Sequence, residues 1–217
     1  MEINIINEKP SVVNQYLAQL RDVDVQNDRL RFRRNLERIG EIMAYEISKE
    51  SEYVQVSRKS PLSEFSSLEI KSRPYIIGIL RASLPFIQGF LNMFDESDCG
   101  FVGAYRKHSQ GDEFDISLDY LATDSLEGKN VIIADPMLAT GKSLVDTVGL
   151  LSQQGQPKSI QLASVIASKD GLNYIERALG QMNVTLWTAV VDDKLNDRYY
   201  IVPGLGDAGD LAFGNKL

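Results

Sequence analysis

The chain has 217 residues, 43% of them hydrophobic and 24% charged, the balance of a globular protein with one large or two small domains. A formal charge of −7 and a pI near 4.8 exclude a general polyanion binder, because sequence-independent nucleic-acid affinity rests on Lys and Arg neutralising phosphates. Cys99 is the only cysteine, which excludes an intrachain disulfide and a thiolate metal cluster and fits a reducing cytoplasm. The amino terminus lacks a basic region, and no run approaches the roughly 20 apolar residues of a membrane helix, so a soluble, unprocessed protein without membrane contact is expected.

Ser11 is a candidate helix cap, followed by Val12, Val13, Tyr16, Leu17 and Leu20 on one face. Leu36, Ile39, Ile42, Met43 and Ile47 form a second stripe, so residues 11–50 should hold two helices before any sheet. Between the stripes, Arg29, Arg31, Arg33, Arg34 and Arg38 make a basic cluster. It reads as a solvated helix face paired with acids of its own or of a neighbouring subunit, with an effector-anion site as the alternative. Residues 57–72, rich in Ser and Lys, read as a surface loop or hairpin.

From Pro74 onward strands and helices alternate. Residues 75–80 read as strand, 84–94 as helix, 100–105 as strand and 107–119 as a polar excursion. Residues 131–134 then form a strand, and Leu144, Val145, Val148 and Leu151 recur at helical spacing up to a stop at Gly155. Strand 160–167, helix 171–179 and strand 184–191 follow. This pattern predicts an α/β fold with a mainly parallel central sheet flanked by helices. One domain over residues 1–217 is expected, with amino-terminal helices in 1–50, an α/β core in 74–192 and a carboxyl-terminal segment in 193–217.

The sharpest motif spans residues 131–143, where an apolar strand meets Asp135, Pro136, Met137, Leu138, Ala139 and then Thr140-Gly141-Lys142-Ser143 at a helix start. The amides of residues 140–143 can point into one concavity, to which the helix adds its positive end, so a phosphate monoester suits the place. A nucleoside-triphosphate loop would need glycine five positions before Gly141, and Pro136 stands there. Asp135 is better placed to accept hydrogen bonds from ribose hydroxyls, which points to a sugar phosphate. In open α/β sheets ligands bind beyond the carboxyl ends of strands. Two other ends carry Arg81, able to fork onto phosphate oxygens, and Arg106 with Lys107. After the last strand, residues 200–210 supply three glycines and two acids, a loop able to wrap a planar polar ring. His108 reads as a solvated loop histidine and Trp187 as a core residue, while Tyr199 and Tyr200 flank the glycine-rich loop.

Four segments stand in the order and approximate spacing of one family. They are Ile79-Leu80-Arg81-Ala82, Asp135-Pro136-Met137-Leu138-Ala139-Thr140-Gly141, Leu195-Asn196, and Tyr200-Ile201-Val202-Pro203-Gly204-Leu205-Gly206-Asp207-Ala208-Gly209-Asp210. On these the chain resembles the uracil phosphoribosyltransferases over residues 75–213, within the type I phosphoribosyltransferases. The resemblance implies transfer of ribose 5-phosphate from phosphoribosyl pyrophosphate (PRPP) to uracil, giving UMP and pyrophosphate, with a carboxyl-terminal hood loop over the base. It assigns PRPP to Arg81, Arg106, Asp135, Pro136, Met137, Leu138, Ala139, Thr140, Gly141, Lys142, Ser143 and Asp207. Uracil is assigned to Ile201, Gly206, Asp207 and Ala208, and catalysis to Arg106 and Asp207. The expected cofactor is magnesium, held through the donor pyrophosphate and reaching Asp207 through water, with no metal site built by the protein alone. A homodimer or homotetramer, GTP as effector through the arginine-rich region, and a mobile flap within residues 107–119 are further expectations of the resemblance. Lys142, Ser83 and Lys107 depart from the family pattern, and Ser83 would be strained if its position required a positive φ. The alternatives are a pyrimidine-responsive RNA-binding regulator on the same fold and a transferase for another nucleobase.

Overall fold

The computed structural model describes residues 1–108 and 114–216, with the side chains of residues 104–119 outside that description. A short strand, β1 (Glu2–Ile5), precedes α1 (Val12–Arg21) and α2 (Arg29–Ser48). Ser11 caps α1 reciprocally: its hydroxyl accepts from the Val13 N–H at 3.2 Å, and the Asn14 side chain accepts from the Ser11 N–H at 2.8 Å. An antiparallel hairpin follows, β2 (Tyr53–Lys59) with β3 (Glu64–Ile70). The core then runs through β4 (Tyr75–Leu80), α3 (Ser83–Met93), β5 (Cys99–His108), β6 (Phe114–Ala122), β7 (Asn130–Ala134) and β8 (Met137–Leu138). It continues through α4 (Lys142–Leu151), β9 (Ser159–Ser168), α5 (Lys169–Leu179) and β10 (Val184–Asp192), and closes with β11 (Lys194–Leu195), β12 (Ile201–Val202) and α6 (Ala208–Phe213).

The main sheet has the order β1-β10-β9-β7-β4-β5-β6, with β8 added beside β9. Every pairing is parallel except β5 with β6. Alternation along the inner strands feeds two cores. Ile76, Ile132 and Ala134 pack with α1, α2 and α3, whereas Tyr75, Ile77, Val131 and Ile133 pack with α4 and α5. Trp187 lies in the first core as expected, buried, with its indole N–H donating to Gln161 Oε1 at 2.7 Å. The helices α2 and α3 cross at two glycines: a Cβ built on Gly89 would stand 2.1 Å from the Glu37 carbonyl oxygen.

Three expectations change. The polar stretch 107–119 is largely strand, since β5 and β6 pair antiparallel from Phe101 with Ala122 out to His108 with Phe114. An edge strand with one solvated face carries polar residues and so masks itself as a loop. The flap expected there falls on residues 109–113 and on side chains outside the described residues, as do the side chains of Arg106, Lys107 and His108. Ser83 has no positive φ: among described non-glycine residues only Tyr199, at φ 60°, has one. Ser83 instead opens α3, fully buried, so the condition under which it would be strained is not met. The glycine-rich tail is no open loop either, because residues 208–213 wind into α6, with Ala208 and Gly209 buried.

Candidate active site

The chain leaves β4 toward β5 on one side and returns to β7 on the other, so β4 and β7 flank the point where the strand order reverses. The crevice beyond that point receives ligands in such sheets. Gly78 pairs with Ala134 across these strands, which sets Arg81, just past β4, beside Asp135, just past β7.

The β7 side builds the anion cradle. Pro136 is buried, and its carbonyl accepts from both the Val165 and Ile166 N–H groups at 3.0 Å, so the turn is locked onto β9. Met137 and Leu138 continue the lock by pairing as β8 with Ile166 and Ala167. Asp135 Oδ1 accepts from the Met137 N–H at 3.3 Å. Gly141 then turns the chain with φ 79°, and a Cβ there would press to 3.0 Å on the Gly171 carbonyl of α5. Among the described residues no side chain caps α4. Its first backbone bond of helical span runs from the Val145 N–H to the Gly141 carbonyl, at 3.1 Å. The Lys142 N–H reaches Thr140 Oγ1 only at 3.4 Å, so the amides ahead of Val145 are the ones an anion would take. Lys142 is exposed at the rim, and Thr140 and Ser143 are half-buried.

The underside of this cradle hangs on Ser168, which sequence reading passed over. Its hydroxyl donates to the Ala139 carbonyl at 2.5 Å and accepts from the Gly171 N–H at 2.9 Å, so one fully buried side chain caps α5 and fixes the cradle. A Ser three residues before a Gly at a helix start was the available signal.

The second half comes from the carboxyl terminus. Ile201, buried, pairs with Leu195 as part of β12 and β11. Gly206 is exposed at φ 95°, and Asp207 caps α6 by accepting the Asp210 N–H on Oδ1 at 2.9 Å. Arg81 reaches into this half: its Nη2 donates to Asp210 Oδ1 at 3.0 Å and to the Gly214 carbonyl at 3.2 Å. Its Nε is buried without a partner among the described residues. A Cβ built on Gly209 would stand 3.2 Å from Asp207 Oδ1 and 3.8 Å from Arg81 Nη2, so cradle-side cation and hood-side acid converge. Sequence reading put Arg81 on an anion; it also ties the two halves together. Asp210 escaped that reading as an ion-pair partner.

Four of the five arginines have partners within the chain. Arg31 pairs with Asp28 and Arg34 with Glu37. Arg33 donates to the Ala212 carbonyl at 2.8 Å, docking α2 on α6, and Arg38 donates to Asn35 while lying over the Tyr16 ring. The lone thiol is also no nucleophile for this site: Cys99 sits at the start of β5, the far end of the sheet, and burial pushes its pKa up. Among the described residues no three His, Cys, Asp or Glu side chains gather as a metal cage, and no helix is long and apolar enough to cross a membrane.

The arrangement offers backbone amides for a phosphate, a carboxylate beside them, an arginine with an unspent donor, and a buried loop with a polar rim for a flat ring. Comparisons with known proteins show the family. The family model described as uracil phosphoribosyltransferase matches residues 7–215. The chain is 46% identical over all 217 residues to a uracil phosphoribosyltransferase of Porphyromonas gingivalis, covering 100% of each chain. It is 42% identical over 185 residues to that of Methanothermobacter thermautotrophicus, covering 84% of this chain and 83% of the relative. Among solved structures, the AQ2163 protein of Aquifex aeolicus superposes with a TM-score of 0.85 at 26% identity, over 98% of both chains. A hypoxanthine phosphoribosyltransferase of Staphylococcus aureus shares the fold, with a TM-score of 0.52 at 16% identity over 87% of this chain and 84% of that one.

Proposed function

The chain belongs to the uracil phosphoribosyltransferase family, and from that premise we propose how its own residues transfer ribose 5-phosphate from PRPP to uracil, giving UMP and pyrophosphate. The amides and hydroxyls of Ala139, Thr140, Gly141, Lys142 and Ser143 take the 5-phosphate. Asp135 accepts from the ribose hydroxyls, and Pro136, Met137 and Leu138 hold it in place. Arg81 and Arg106 face the pyrophosphate, Arg106 as a reading of sequence alone. Ile201, Gly206 and Ala208 turn backbone groups to the uracil edge, with Asp207 between base and donor.

As the bond from the anomeric carbon to pyrophosphate breaks, positive charge grows on the ribose ring and negative charge on the leaving oxygens. The side chains needed are those that stabilise and aim. Arg81, whose Nε has no partner among the described residues, gains a charge-assisted bond as the leaving group charges up, while the locked cradle holds the ribose for in-line attack by uracil nitrogen. Magnesium, when bound with the donor, adds positive charge to the pyrophosphate. The carboxylate of Asp207 would hold its water shell.

The observation that supports this reading most is the convergence of Arg81, Asp207 and Asp210 at the mouth of the crevice. The RNA-binding regulator has no support in the relatives, and three of the five arginines it would use are engaged within the chain by Asp28, Glu37 and Ala212. A panel of nucleobases incubated with PRPP and magnesium, with products resolved by chromatography, tests the assignment. UMP should form, and a nucleotide of another base alone would overturn it.

Self-association belongs to the same proposal. The hairpin of β2 and β3 leaves Tyr53, Val54, Phe65 and Leu68 exposed, with Leu62 at its tip 96% exposed, an apolar arm suited to a second copy. Light scattering should return a dimer or tetramer. Rates with and without GTP test nucleotide activation.

A further inference from the structure

Asp192 ends β10 and is buried at 6% relative exposure, 171 residues from the arginine that grips it. Both of its oxygens are engaged by Arg21, the last residue of α1: Nη1 donates to Oδ2 and Nη2 to Oδ1, each at 2.9 Å. The bidentate fork fixes the plane of the carboxylate as well as its position. Oδ2 has one further task, accepting the Gly204 N–H at 2.9 Å. Gly204 is buried at φ 55°, and a Cβ there would fall 2.1 Å from the Ile201 carbonyl, so this turn leaves no slack between Ile201 and residue 204. Everything assigned to uracil lies on this turn or within four residues of it.

The neighbouring strand repeats the device for the other substrate. Asp192 is the register partner of Ser168 on β9. Ser168 holds the Ala139 carbonyl of the phosphate cradle, and Asp192 holds the Gly204 amide of the hood. Two paired strand ends thus each carry one half of the site.

We propose that Arg21 and Asp192 are positioning residues for uracil: α1, through this ion pair, sets the hood turn against the donor cradle and so determines acceptor recognition without touching either substrate. This rests on the reading that residues 201–208 hold uracil. A buried carboxylate stripped of its partner is costly, so Arg21→Met alone combines misplacement with an uncompensated charge. The pair Arg21→Met with Asp192→Asn removes that charge and keeps an amide oxygen for the Gly204 N–H.

The test is steady-state kinetics with each substrate varied in turn, together with hydrogen exchange of a peptide covering residues 201–210. Asp192→Ala should raise the KM for uracil at least about fivefold, the scale of one lost charge-assisted bond, with the KM for PRPP within twofold of wild type. The paired variant, which keeps an acceptor for the Gly204 N–H but lacks the ion pair, should also show a raised KM for uracil at unchanged KM for PRPP, and free Asp192→Ala enzyme should exchange faster over 201–206. Wild-type KM for uracil in folded Asp192→Ala, or equal rises in both KM values, overturns the proposal. Uracil with PRPP should slow exchange over 201–210 in wild type; if it does not, the uracil assignment itself fails, whichever way the variants behave.

Discussion

Arg81 and Asp210 face each other across 3.0 Å, joining the loop after β4 to the last helix of the chain. Both side chains are about one-third exposed, so the pair by itself adds little stability, and its importance lies in what else Arg81 can reach. Arg81→Ala should lower kcat/KM for PRPP at least about tenfold, the scale of one lost charge-assisted contact. Arg81→Lys should not restore it, because a point charge cannot hold Asp210, Gly214 and the donor together. Wild-type kinetics in either variant would remove Arg81 from the donor site.

Ser168 serves one acceptor and one donor with one hydroxyl, so Ser168→Ala should show on two axes. Loss of the α5 cap should cost about 1 kcal/mol in denaturant unfolding. Freeing the Ala139 carbonyl should raise the KM for PRPP about fivefold and leave that for uracil alone. A stability change without any change in donor KM would show that the cradle holds its shape unaided.

At the crossing of α2 and α3, Gly89→Ala would force backbone apart, because the new methyl meets the Glu37 carbonyl at 2.1 Å and no side chain can swing away. The expected loss is about 1–3 kcal/mol, seen as a fall in Tm of roughly 2–4 °C for each kcal/mol. The KM values of the folded enzyme should stay unchanged.

Tyr199 sits at φ 60°, where an L residue with a Cβ is penalised by about 1–2 kcal/mol. Tyr199→Gly removes that penalty but adds about 0.5–1 kcal/mol of unfolded-chain entropy, leaving a backbone gain of about 0.5 kcal/mol against which the tyrosine's own contacts are lost. Thermal unfolding should shift upward by a degree or two. A fall instead would mean that contacts of the tyrosine ring outweigh the torsion.

Glu52, at the base of the hairpin, is bonded by Lys158 and Lys71, which hold its pKa down to about 2. Its pKa is lower folded than unfolded, so this contribution to stability is complete above the ordinary glutamate range and fades as pH falls toward 2. Carboxyl chemical shifts should report that midpoint, and Lys158→Met should move it upward. An unmoved midpoint would assign the shift to Lys71 alone.

How much of this the sequence discloses depends on range. Residues 75–80 and 131–134 are legible because strands buried on both faces are unbroken apolar runs, and the cradle is legible because strand, turn and helix lie within thirteen consecutive residues. Glu2–Ile5 escapes because four residues carry too little periodicity, and α6 because Gly209 and Asp210 read as turn residues. Arg21 with Asp192 is invisible at any window length. Neither residue has a local neighbour that betrays the other, and only the folded sheet brings α1 beside the end of β10.

The pairing of β1 with β10 sets Glu2 beside Thr185, so a strand early in the chain cannot find its partner until nearly the whole sheet has been made. At about 5–20 residues per second, the amino terminus must wait roughly 10–40 s on the ribosome before its strand neighbour exists. Arg21 waits in the same way for Asp192. A chain cut short near residue 185 would therefore lose the docking of β1 and α1 along with β10.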